Sequence, residues 1–142
     1  MGKINYAAVL KGGLLAAVSF IVVEFLLEGA VGLLGLNEAD LFREAYPDIV
    51  VGGAVYHVSN VVHLLLLFFL AIWIYAAIRP RFGPGPKSAL ITSFVMWLMY
   101  LLFAMSFVKH GIFPLNLALV SLAFNLVEIP AAILIGARIY QE

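Results

Sequence analysis

The residues from Val55 to Ile78 read VYHVSNVVHLLLLFFLAIWIYAAI, and this run decides the fold. As an α-helix with a rise of about 1.5 Å per residue, it is long enough to cross about 30 Å of hydrocarbon. Three further apolar runs of similar length occupy residues 9–27, 88–108 and 115–137. The pattern therefore predicts four transmembrane helices.

The composition assigns the chain to the membrane class. Of its 142 residues, 65% are hydrophobic and 11% are charged, and its mean hydropathy is +1.11. We therefore predict an all-α integral membrane protein in which residues 1–142 form a single four-helix transmembrane bundle embedded in the lipid bilayer. The net charge of zero argues against a nucleic-acid partner. The absence of cysteine excludes disulfides and thiolate metal sites.

The positive residues predict the orientation of the bundle. Arg43 and Lys109 fall on one side of the membrane, and the other lysines and arginines fall on the opposite side: Lys3, Lys11, Arg79, Arg81, Lys87 and Arg138. Cytoplasmic loops retain positive charge, so both termini and the basic Pro/Gly loop 79–87 are predicted in the cytoplasm. The predicted location is the cytoplasmic (inner) membrane of a prokaryote.

The predicted outer loop, residues 28–54, contains a short helical segment from Asn37 to Tyr46. Asn37 is a common helix-capping residue, the first turn after it is acidic, and the segment stops before Pro47. Leu41 and Phe42 give the segment an apolar face. We expect a short interfacial helix that lies on the outer membrane surface.

Ionisable residues inside the apolar runs form the candidate site. Glu24 and Glu28 lie one helical turn apart in the first run, His57 and His63 lie in the second, and Glu128 lies in the fourth. An ionised side chain in hydrocarbon costs roughly 3 kcal/mol on insertion scales, so these five residues are predicted to form a metal or proton site. A rotation of about 40° decides whether Glu24 or Glu28 faces the bundle interior.

Four uncharged polar residues are predicted to support this site: Asn60, Tyr100, Ser121 and Asn125. Counting the helical rise from the cytoplasmic cations places Glu24, His63, Asn125 and Glu128 at overlapping depths. Further outward, the polar track continues with Glu28, Asn60 and His57. At about 100° per residue, Ser121, Asn125 and Glu128 share one stripe of the fourth helix. We expect a polar pocket that opens to the outer face, with a glutamate as the partner of the Tyr100 hydroxyl.

Three kinds of function are compatible with these residues. Converging carboxylates and imidazoles would bind a divalent metal ion or relay protons. Alternatively, the polar stripes would pack against other helices, in a homo-oligomer or in an accessory subunit of a larger membrane complex. A third possibility is a haem or another pigment ligated by His57 or His63, or a quinone bound by Trp97 and Tyr100. Whether the protein is an enzyme is left open.

Overall fold

The computed structural model describes residues 4–33, 37–49 and 52–140. Lys3 and parts of the predicted outer loop, residues 34–36 and 50–51, lie outside these ranges. The described chain forms five helices: α1 Tyr6–Gly32, α2 Glu38–Ala45, α3 Ala54–Phe82, α4 Pro86–Lys109 and α5 Leu115–Ala137. All except α2 are long and apolar enough to cross a membrane. The prediction of an all-helical chain with four helices able to span a membrane is confirmed.

The chain's two ends meet at one end of the bundle, which we call the terminal end. The backbone amide of Asn5 donates to the Tyr140 hydroxyl at 3.2 Å. The Tyr140 ring stands edge-on to Tyr75, and the Arg79 guanidinium lies 5.4 Å from the centre of the same ring. These contacts join α3 and the residues that flank α1 and α5. We call the opposite end, which carries α2, the α2 end.

The closest contact between helices joins α1 and α5 through small residues. A Cβ atom added at Gly136 would lie 2.5 Å from the carbonyl oxygen of Gly12, and one added at Gly12 would lie 2.8 Å from that of Gly136. One turn further into the bundle, Ala16 and Ala132 are both fully buried. Small residues at four-residue spacing let the two backbones touch, which is how membrane helices pack without a hydrophobic driving force.

α3 packs into the bundle by its second half only. Phe68, Ala71 and Ile72 are buried against α1 and α5, and Gly13 of α1 faces the ring of Phe69. By contrast, every residue from 54 to 63 is exposed. These first turns of α3 therefore form a surface of their own, which we call the free half of α3.

The predicted short helix is present as α2. The Asn37 side chain caps it by accepting hydrogen bonds from the amides of Ala39 at 2.9 Å and Asp40 at 3.3 Å. Its far end is held by Tyr46, whose hydroxyl donates to the carbonyl of Ile112 in the α4–α5 connection. The helix is thus attached to the α2 end of the bundle at more than one point, which positions Glu38.

Candidate functional site

Four glutamates from three helices face one region of the bundle. The carboxyl group of Glu128 in α5 lies within Coulombic range of Glu24 and Glu28 in α1 and of Glu38 in α2. Glu24 is the strongest of these three neighbours, and it also interacts with Glu28 and Glu38. We call these four residues the carboxylate cluster. The structure therefore brings three of the predicted site residues, Glu24, Glu28 and Glu128, into one group.

Glu128 is the most deeply buried member of the cluster. Only 2% of its surface is exposed, and its Oε1 atom has no hydrogen-bond partner in the described part of the chain. An ionised carboxylate in such a place is costly unless a proton or a cation neutralises it.

Ser121 connects α2, α4 and α5 above Glu128. This fully buried residue donates its hydroxyl hydrogen to Oε1 of Glu38, and it lies within hydrogen-bond reach of the Tyr100 hydroxyl. We expected a glutamate as the partner of Tyr100, but the structure places a serine there. Tyr100 still lies within Coulombic range of Glu38 and Glu128. Both Ser121 and Tyr100 therefore line the carboxylate cluster.

Glu38 is the site residue that sequence reasoning missed, because it was assigned to a helix on the membrane surface. Burial raises the pKa of its carboxyl group above the ordinary value of 4.5; the hydrogen bond from Ser121 opposes this rise, and nearby Glu28 adds to it. The sequence did contain a pattern that indicates the burial of Glu38. It lies three and four residues before Leu41 and Phe42, so it shares the apolar face of α2.

The histidines do not join the carboxylates. His57, Asn60 and His63 are all exposed on the free half of α3, and the His57 ring stands edge-on to that of Tyr56. Within residues 4–33, 37–49 and 52–140, no three His, Asp or Glu side chains are close enough together to hold a metal ion. The physical reason is that α3 is buried only from Phe68 onward, so its polar turns stay outside the bundle.

A cavity of about 390 Å³ lies beside the carboxylate cluster, between α3, α4 and α5. His63, Tyr100 and Asn125 are the polar residues of its wall, and the rest of the lining is apolar. Asn125 is held by a 2.8 Å hydrogen bond from its Nδ2 to the carbonyl of Ser121. We call this space the lateral cavity. Two residues predicted to support the cluster, Tyr100 and Asn125, thus lie between it and the cavity.

The arrangement can bind protons through its carboxyl groups, and the lateral cavity can accept an apolar molecule. Comparison of the chain with protein-family models, with curated proteins and with solved structures finds no match. A function is therefore argued from the chemistry of these residues.

Proposed function

We propose that this protein is a multi-pass membrane protein whose carboxylate cluster binds and releases protons. The main support for the proposal is that the Oε1 atom of Glu128 is buried and has no hydrogen-bond partner in the described structure. The same carboxyl group lies within Coulombic range of three further carboxyl groups.

Electrostatics favours bound protons in this cluster. Carboxylates that share a region of low dielectric repel one another, and burial disfavours the charged form of each. The cluster therefore needs protons or a cation. A divalent metal ion is the weaker choice, because the described residues hold no group of three suitable ligands and the histidines lie on the free half of α3.

Proton exchange is proposed to occur from the α2 end only. Glu28 and Glu38 are half-buried near that end, whereas Glu128 lies about 20 Å below the first residue of α5. On the other side of Glu128, Ala132 and Ile133 are fully buried and the Gly12–Gly136 contact leaves no space. A single chain would thus load and release protons on one side.

The charge distribution orients this site. Following the positive-inside pattern, we propose that both termini lie in the cytoplasm and that the α2 end faces outward, with α2 at the outer membrane surface. The proposed location is the cytoplasmic membrane of a prokaryote. The cluster would then respond to the acidity outside the cell.

Infrared difference spectroscopy of the protein in lipid nanodiscs tests the proton site. Between about pH 5 and about pH 9, the carbonyl stretch of protonated carboxylic acids should lose intensity as the cluster ionises. Glu128→Gln should remove a large part of this change. The matched control is Glu44→Gln, because Glu44 is exposed on α2 and belongs to no cluster.

Two results would contradict the proposal. An unchanged difference spectrum in Glu128→Gln would show that Glu128 exchanges no proton in this range. The second result is near-stoichiometric metal in protein purified without chelator, together with its loss in Glu128→Gln. That result would show that the cluster binds a cation and not protons.

The free half of α3 favours a second candidate function, a subunit that pairs with a second copy of the chain. The side-chain amide of Asn60 carries hydrogen-bond donors and an acceptor, so it can pair with the same residue across a two-fold axis. Polar side chains that face lipid gain from such pairing. Tyr56, one turn before Asn60, lies on the same face of α3. The chain has no cysteine, so disulfide formation in the Tyr56→Cys variant reports this contact directly.

Leu126→Cys is the control for cross-linking, because Leu126 is exposed on α5, away from the free half of α3. Dimers from Tyr56→Cys alone would support self-association. Cross-links from Tyr56→Cys to a different membrane protein would instead identify the chain as an accessory subunit. Equal cross-linking at both positions would exclude a specific interface on α3.

A further inference from the structure

The proposed proton site makes no use of the lateral cavity. Its volume of about 390 Å³ falls within the range of sites that bind small molecules. Phe68, Met96 and Ile129 are buried at its inner side. Leu70 and Phe103 line its mouth, and they are 45% and 62% exposed. In a membrane, those two residues face lipid, so the cavity opens sideways into the bilayer.

The polar atoms of the cavity lie deep in the membrane. His63 follows the first residue of α3 by nine positions, Tyr100 precedes the last residue of α4 by nine, and Asn125 follows the first residue of α5 by ten. At about 1.5 Å per residue, each lies about 14 to 15 Å from its helix end. The hydrocarbon core is about 30 Å thick, so the three residues lie near its middle.

We propose that the lateral cavity binds a membrane-soluble quinone. The occupant must enter from lipid, must be mostly apolar and must carry hydrogen-bonding atoms at mid-membrane depth. A phospholipid does not meet the last condition, because its headgroup stays at the interface and its acyl chains have no polar atoms there. A ring with carbonyl oxygens and an apolar tail meets all three conditions.

The donors in the wall suit carbonyl acceptors. Asn125 Nδ2 uses one hydrogen for the Ser121 carbonyl and has a second available, and the imidazole of His63 supplies another donor. The ring faces of Phe68 and Phe103 and the sulfur of Met96 provide the contacts that a flat ring prefers. One or two hydrogen bonds would orient the ring, and apolar contact would supply most of the affinity.

This inference goes beyond the proposed proton site and does not rest on it. No member of the carboxylate cluster lines the cavity. Tyr100 lines the cavity and also lies within Coulombic range of Glu38 and Glu128. Glu128→Gln is therefore expected to leave quinone binding unchanged. Unchanged quinone binding in this variant would show that the two proposals are independent of each other.

Tryptophan fluorescence gives the readout, since Trp73 lies on α3 and Trp97 on α4, two of the helices that border the cavity. Decylubiquinone is titrated into the protein in phosphatidylcholine nanodiscs. We expect saturable quenching, in addition to the linear quenching that results from partition into lipid. Leu67→Phe fills the cavity and should weaken saturable binding at least about 10-fold, or about 1.4 kcal/mol. Asn125→Leu should weaken it about 5-fold, or about 1 kcal/mol.

Leu66→Phe is the matched control, because Leu66 is the neighbouring residue, is 64% exposed and lies outside the cavity lining. Saturable quenching lost in Leu67→Phe but kept in Leu66→Phe supports the site. Quenching that stays linear in the unmodified protein shows that lipid or a second chain fills the cavity, and overturns the proposal. Saturable quenching that survives both Leu67→Phe and Asn125→Leu places the quinone elsewhere, and also overturns it.

Discussion

At the scale of single residues, the hydrogen bonding of Glu128 supports the proposed proton site over a purely structural role. A carboxyl group kept for stability would have its oxygen atoms paired, because an unsatisfied buried polar atom costs about 1 to 3 kcal/mol. The buried hydroxyl of Ser121 is paired in this way, since it donates to Glu38. Glu128 has an unpaired Oε1 in the described structure, so it lowers the stability of the bundle.

Glu128→Leu is therefore expected to raise the free energy of unfolding by about 1 to 3 kcal/mol while it abolishes proton binding. Unfolding in mixed detergent micelles, followed by tryptophan fluorescence, measures the change. Ser121→Ala should act in the opposite direction and cost about 1 kcal/mol, because it leaves Glu38 without its donor. A clear loss of stability in Glu128→Leu would show that Glu128 serves the structure.

At the scale of elements, the attachment of α2 depends on the protonation of Glu38. Its raised pKa means that the docked helix binds the proton more tightly than the undocked helix, in which Glu38 has its ordinary value of 4.5. Docking is thus strongest below that value and weakens as the pH rises through the raised pKa. α2 would then cover the carboxylate cluster at low pH and loosen at higher pH.

Spin labels on Glu44→Cys and Asn116→Cys, both at exposed positions, measure this docking by their distance distribution. The distribution should be narrow at acidic pH and broaden as Glu38 ionises. Glu38→Gln should keep it narrow throughout, whereas Asp48→Asn, at an exposed position after α2, should behave like the unmodified protein. Broadening that persists in Glu38→Gln would assign the pH dependence to another group.

The α1–α5 pair holds the cluster in place through Gly12 and Gly136. Gly136→Ala puts a Cβ atom against the Gly12 carbonyl and the Ala16 side chain, so it should destabilise the bundle by about 1 to 3 kcal/mol. Gly29→Ala, in the same α1 but with open space around it, should be neutral or gain up to about 1 kcal/mol. Equal effects of the two substitutions on detergent-induced unfolding would contradict backbone contact between α1 and α5.

At the scale of the whole molecule, the proposed orientation predicts which positions are reached from each side of the membrane. The chain has no cysteine, so single cysteines can be labelled without background. Glu44→Cys should react with an impermeant thiol reagent in intact cells, and Lys87→Cys should react only in inverted vesicles. The reverse pattern would put the carboxylate cluster on the cytoplasmic side and both termini outside.

The sequence by itself determined the membrane class, the four spans, the capped helix after Asn37 and the set of residues that are costly in hydrocarbon. These features follow from local composition and from the helical period, and both can be read along the chain. The stripe that contains Ser121, Asn125 and Glu128 could also be predicted from the sequence, because all three positions lie on one helix.

Only the tertiary structure decided which polar residues meet. Glu38 reaches Ser121, 83 positions away, because α2 docks on α5, and no local pattern encodes that contact. His57 and His63 stay exposed and apart from the carboxylates because α3 packs against the core only from Leu64 onward. Periodicity shows which face of a helix is polar, but packing between distant segments decides whether that face meets a neighbouring helix or remains exposed.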